Sequence, residues 1–274
     1  MKNNIKNIFL SKLSKSNSKL DNFISRFMDI KFQIGNGVGA GKLFERLFTG
    51  FINEYNKKSQ VMEGLYAIDL NLSNSNFIWD IIISDNEKLL FDENEIINII
   101  KNNQNNLKLI EDNLIKIIGN NWIGVSLKTY KNDCFQITTD YSYREFLENE
   151  IGESDVIGET VNKFYSLLNK YDKNRYLILA LNTYDNHYTF RLLDFDKKFD
   201  KIEFKKNRKL SQYNIYLNNE IIIKVLYGKN QANPYQRGIW THNVKSIEYF
   251  QLIKSGNYKR DNYFENAILS TIFK

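Results

Sequence analysis

The stretch Asn76 to Ser84, "NFIWDIIIS", sets a single carboxylate, Asp80, between Phe77, Ile78 and Trp79 on one side and three isoleucines on the other. A run this rich in aromatic and β-branched residues reads as strand. A carboxylate within it is costly to bury unless a cation or hydrogen-bond donors meet it. An aspartate turned to solvent from an edge strand satisfies the same pattern, so the choice rests on what the rest of the chain brings to Asp80.

Just upstream, "LYAIDLNL" (65–72) is a second β-rich run, and the polar link "SNSN" between the two predicts a hairpin. Before it, Leu43, Phe44, Leu47, Phe48, Phe51 and Ile52 recur at helical spacing and predict an amphipathic helix that carries Glu45 and Arg46 on another side. The glycine-rich stretch "GNGVGAGK" (35–42) leads into that helix and is expected to be a turn. It is not a Walker loop. The first glycine position of G-x-x-x-x-G-K-[ST] is Asn36, and the magnesium-binding hydroxyl position is Leu43. The spacing also misses the dinucleotide fingerprint.

Downstream, "DENEIINIIKNNQNNLKLIEDNLIKIIG" (92–119) has helical periodicity, an acidic start and a glycine stop, which predicts one long or two shorter helices. "NWIGVSLKTY" (121–130) predicts a strand. Period 2 places Ser126, Lys128 and Tyr130 on one face of it, with Val125 and Leu127 on the other. Helices are expected at about 142–150 and 159–170, and a strand at "RYLILALN" (175–182). Residues 1–30 fit one or two amphipathic helices. From Asn182 onward the alternating texture of "YTFRLLDF", "KIEFKK", "NIYLNN" and "EIIIKVLYG" is mostly strand.

Glutamate on a helix, aspartate on a strand and then x-Lys on a later strand is an order that resembles the PD-(D/E)xK nuclease superfamily, and most of all its type II restriction endonucleases. The resemblance covers about residues 35–180. It implies an α/β (α+β) restriction-endonuclease-like mixed β-sheet flanked by helices, with a β-rich C-terminal subregion. On this reading the chain is a single domain, its nuclease core at about 35–180 and a DNA-recognition subregion at about 182–274. Asp80 matches the motif aspartate, Lys128 the motif lysine and Glu45 the helix glutamate. Two positions depart: Trp79 stands where the family's proline stands, and Ser126 where its second acid stands. A substitute carboxylate is then needed, with Glu45 favoured, Glu145 second and Asp140 a further candidate.

What the resemblance implies is a sequence-specific, Mg²⁺-dependent hydrolase of phosphodiester bonds in double-stranded DNA, acting as a homodimer. Asp80 with Glu45 or Glu145 would hold the metal, and Lys128, beside Ser126, would orient or deprotonate the attacking water. For DNA binding, Lys205, Lys206, Arg208 and Lys209 form a basic cluster suited to phosphates. Asn233, Gln236, Arg237 and Asn243, in and after "NPYQRGIWTH", have the donors that read base edges. A nucleic-acid-binding protein with a degenerate nuclease core is the alternative, because Ser126 removes an acid.

Composition agrees with this class. The 274 residues carry a formal net charge of +6, which suits a polyanionic partner. One cysteine, Cys134, excludes an internal disulfide, and with two histidines, His187 and His242, leaves little for a zinc site, so a metal would be a hard cation on oxygen ligands. No apolar run approaches the roughly 20 residues of a membrane span, and the basic start lacks a signal-peptide pattern. A cytoplasmic protein is expected.

Overall fold

The computed structural model describes residues 5–34, 38–58, 61–72, 77, 79–85, 91–103, 106–130, 136–138, 176–184, 187–194, 201–206, 211–217, 220–227, 238–240 and 251–257. Five helices are described: α1 (Ile5–Lys15), α2 (Asn17–Ile34), α3 (Val38–Lys58), α4 (Glu93–Asn102) and α5 (Leu107–Ile118). Strands β1 (Tyr66–Asp69), β2 (Ile81–Ser84), β3 (Trp122–Tyr130), β5 (Tyr176–Tyr184), β6 (His187–Asp194) and β11 (Gln251–Asn257) form one six-stranded sheet in the order β1-β2-β3-β5-β6-β11. A second sheet holds β4 (Gln136–Thr138), β10 (Gly238–Trp240), β9 (Glu220–Tyr227), β8 (Ser211–Leu217) and β7 (Lys201–Lys206), in that order.

The main sheet is mixed. β1, β2 and β3 are antiparallel neighbours, β5 joins β3 in parallel, and β6 and β11 continue antiparallel. The two β-rich runs around Asp80 do pair, as predicted, through Tyr66↔Ser84 to Asp69↔Ile81. The sheet extends past residue 182, because β6 and the late strand β11 belong to it.

Alternation sorts the strands' side chains. Ala67, Ile81, Ile83, Ile123, Val125, Leu127, Leu177, Leu179, Leu181, Phe190 and Leu192 share one core with the apolar stripes of α1, α2 and α3. Phe44 and Phe48 of α3 meet Phe190 of β6 at ring separations of 6.4 and 6.1 Å, and Phe27 of α2 at 5.1 Å from Phe44 closes the same cluster. Such pairs add to area burial about 0.5–1.5 kcal/mol each. They fix α3 against the sheet, and with it the residue after Phe44, which is Glu45.

A second tie is polar. The Asn53 side chain accepts from the Ala67 N–H and donates to the Ala67 carbonyl, at 2.8 and 2.9 Å. It thus satisfies backbone groups on the open side of β1, an edge strand, that would otherwise be unpaired. At β11, Lys254 Nζ donates to Asp21 of α2 at 2.6 Å, and the Tyr188 hydroxyl of β6 donates to the same carboxylate, which is held below the usual carboxylate range by those two donors against the effect of burial. The returning C-terminal strand is anchored there.

Residues 92–119 form two helices, not one. Asp92 and Asn106 cap their starts through side-chain bonds from the Asn94 and Leu109 N–H groups, and Gly119 stops α5 at φ 73°.

Two local expectations are corrected. The glycine stretch is helix, not turn, from Val38 on, so Gly39, Ala40, Gly41 and Lys42 belong to α3. No positive φ is used at Gly41, and a Cβ there would meet open space; the following amphipathic stripe carries the helix through residues that individually disfavour it. Asp80, in turn, lies one residue before β2 and not inside it. Its N–H still donates to the Val125 carbonyl at 3.0 Å and its carbonyl accepts from the Leu70 N–H at 3.2 Å, so the backbone ladder continues through it.

Candidate active site around Asp80

Asp80 is where the three antiparallel strands bring distant residues together. Its N–H bond to Val125 aligns it with β3, and alternation sends Ser126 and Lys128 away from the helix-facing side occupied by Val125 and Leu127. One carboxylate oxygen, Oδ2, then collects three donors: Ser126 Oγ at 3.0 Å, the Leu127 N–H at 2.6 Å and Lys128 Nζ at 3.1 Å. Asp80 and Lys128 are 18% and 19% exposed, buried enough for the pair to be only partly screened and open enough for a ligand to reach it. Asp80 is therefore not an aspartate turned out to solvent. Hydrogen bonds to a charged acceptor contribute about 1.5–3 kcal/mol each, and three of them offset the cost of holding this carboxylate against the sheet.

All three donors fall on Oδ2. No hydrogen bond from the described residues falls on the other oxygen, Oδ1.

The helix glutamate is beside it. Glu45 is partly buried, and burial, followed by the charges of Asp80 and Asp69, pushes its carboxyl up to about 7, while Lys128 and Lys42 pull the other way. Asp69, at the end of β1, is pushed up as well, first by burial. The Asn71 N–H, donating to Asp69 Oδ1 at 2.9 Å, opposes that rise, as do the charges of Arg46 and Lys42. Three carboxylates from α3, β1 and the start of β2 thus feel one another, with Lys128, Lys42 and Arg46 around them.

Asp69, Lys42 and Arg46 are the site residues that sequence reasoning did not select. Antiparallel register provides the missing link for Asp69: it opposes Ile81, the neighbour of Asp80. Helical spacing provides it for the cations, since Lys42, Glu45 and Arg46 lie three and four apart and so share a face of α3.

Trp79, the residue before Asp80, is buried against β3. Its indole lies on the backbone of Gly124, where a Cβ would come within 2.4 Å of the ring, and it meets Trp122 edge-on at 5.2 Å. Only glycine fits there. Gly124→Ala is expected to cost about 1–3 kcal/mol by overpacking and to displace the residue next to Asp80. Thermal denaturation measures the first effect, and the activity of the folded fraction measures the second.

Of the remaining sequence-predicted residues, Lys205 and Lys206 alone are among the described residues. Glu145 and Asp140 lie outside the described residues, as do Arg208, Lys209, Asn233, Gln236, Arg237, Asn243 and the expected helices at 142–150 and 159–170. Lys205 and Lys206 are on β7, in the second sheet, opposite Gln212 and Ser211.

As to metals, no three His, Cys, Asp or Glu side chains among the described residues converge as a ready-made cage. Two carboxylates, Glu45 and Asp80, do lie close enough for their charges to act on each other. Among the described residues no helix is long and apolar enough to cross a membrane. Compared with family models, curated proteins and solved structures, the chain finds no significant match.

Proposed function

We propose that this chain is a Mg²⁺-dependent endonuclease of double-stranded DNA, built like the PD-(D/E)xK enzymes and among them the type II restriction endonucleases. The observation that carries the reading is the convergence on Asp80 Oδ2 of Ser126 and Lys128, from 46 and 48 residues away, beside the helix-borne Glu45. The arrangement of elements supports it: α3, then β1 and β2, the helices α4 and α5, and β3, which pairs antiparallel with β2, with β5 added later in parallel to β3.

The donor set suits magnesium. That ion is commonly held by one or two carboxylates, with water and substrate phosphate completing its shell. Asp80 Oδ1 and Glu45 would hold it, and Asp69 adds negative charge nearby. When bound, it polarises the scissile phosphate and acidifies a water molecule. The chain's own residues do the rest. Lys128, on the strand face beside Asp80, offsets charge on the pentavalent phosphorus centre and orients the attacking water. The Leu127 N–H and Ser126 Oγ lock the Asp80 carboxylate in one orientation, so no reorganisation is needed as charge develops. Lys42 and Arg46 would draw the DNA backbone toward the site. Cleavage at a defined sequence by a homodimer, in the cytoplasm, completes the proposal.

Ser126 supports a second reading. Its hydroxyl donates to Asp80 where the family has an acid, which fits a DNA-binding protein that no longer cuts. Incubating the purified chain with supercoiled plasmid and Mg²⁺ separates the two. Discrete bands, abolished by EDTA, are the expected outcome. Salt-sensitive retention of intact DNA at every enzyme level would leave the second reading standing.

A further inference from the structure

Strand register extends the site across the sheet. Lys128 of β3 is opposite Ala180 of β5, and Ala180 is opposite Arg191 of β6. Directly opposed residues project from the same face, and the core packing agrees. Leu127, Leu179, Leu181, Phe190 and Leu192 all pack with the helices, so Lys128, Ala180 and Arg191 share the other side. Along the next row that side carries Asn182 and Thr189, which also oppose each other. Arg191, Asn182 and Thr189 are each partly exposed, and in the row between Lys128 and Arg191 stands the small residue Ala180.

Asn182 is notable in this setting. Its Oδ1 is buried with no hydrogen-bond partner among the described residues. Strands are spaced about 4.8 Å apart, so Arg191 is rooted about 10 Å from Lys128. The guanidinium presents a planar fork of donors matched to phosphate oxygens.

We propose that Arg191, with Asn182 and Thr189 beside it, is a second phosphate-binding position, gripping the DNA backbone two strands away from Lys128 on the same face of the sheet. This deepens the nuclease reading and rests on it. The contact is to backbone, so it adds affinity without reading sequence.

The test uses the full chain in EDTA, so that nothing is cut, with two labelled duplexes of unrelated sequence titrated across a range of salt. Arg191→Gln is expected to bind both duplexes about three- to tenfold more weakly and to lower the slope of log affinity against log salt by about 0.9, the release for one phosphate contact. Arg191→Lys, which keeps the charge, should restore most of the slope. Thr189→Lys adds a cation to the same track without removing Arg191, and should steepen the slope by about 0.9. Slopes and affinities equal to wild type in both Arg191→Gln and Thr189→Lys overturn the inference, as does a loss confined to one duplex. If the wild-type chain binds neither duplex and cuts no plasmid, the nuclease reading itself fails. If it cuts while both variants keep the wild-type slope, the second phosphate position alone is wrong.

Discussion

Lys128→Met is expected to lower the rate of Mg²⁺-dependent plasmid cleavage by about 10²–10³-fold, the loss typical of removing one well-placed donor worth about 3–4 kcal/mol to a transition state. The methionine keeps most of the aliphatic stem that packs on the strand, so the change is chiefly electrostatic. Folding should survive, because Asp80 Oδ2 retains the Ser126 and Leu127 donors when the 3.1 Å ion pair is gone. Asp80→Asn should cost at least as much activity. It replaces a carboxylate oxygen by a neutral amide and puts N–H donors where donors already point. Single-turnover cleavage measured at saturating enzyme separates this from weakened binding. Wild-type rates in either variant, with circular dichroism unchanged, would remove Asp80 and Lys128 from the chemistry.

How much of this was legible beforehand differs by residue. Asp80 stood out because it is a charge among residues that should be apolar, whereas Lys128 lies on the polar face of an ordinary alternation and was selected only by the resemblance, through its place after Asp80. Glu45 followed from an amphipathic stripe that left it off the apolar face. Asp69 did not stand out. In "YAIDLNL" it is one polar residue in an ordinary alternation, and only the register Asp69↔Ile81 brings it beside Asp80. Register depends on pairing with a distant run, which local pattern does not specify. Lys42 was tested as a nucleotide-loop lysine and failed; its place near Glu45 and Asp69 depends on α3 starting at Val38, against the helix propensity of the glycines. The return of β11 to the main sheet was illegible for the same reason as Asp69: "QLIKSGN" has no apolar alternation that marks a core strand, and its burial is slight. An edge strand held by backbone bonds and one Lys254–Asp21 pair leaves little trace in composition.

Glu45→Gln should show opposite signs in stability and activity. The Glu45 carboxyl is raised from its ordinary 4.5 to about 7 by burial and by the charges of Asp80 and Asp69. Between those two values the folded chain binds a proton that the unfolded chain has released, so stability from this group is full below about pH 4.5, falls as pH rises and is lost above about 7. In EDTA at pH 8 the wild-type chain thus carries an unfavourable charge that glutamine, nearly the same shape, does not. The variant is expected to be more stable there by about 1–3 kcal/mol, a range that allows for screening at a partly exposed site. The gain should vanish near pH 4.5. Denaturant melts at pH 4.5, 6 and 8 read the difference, and a gain independent of pH would show that Glu45 is not the group responsible. Activity moves the other way. A glutamine cannot supply the second carboxylate, so Mg²⁺-dependent cleavage should fall about 10²-fold or more, and added Mg²⁺ should raise the melting temperature of the wild type but not of the variant. In the wild type that Mg²⁺ effect should weaken as pH drops below about 7, where the proton competes with the metal for Glu45. A buried carboxylate repelled by Asp80 and Asp69 gives up stability at neutral pH. Relief of that repulsion is what the proposed Mg²⁺ would supply, so the two halves of this prediction stand or fall together.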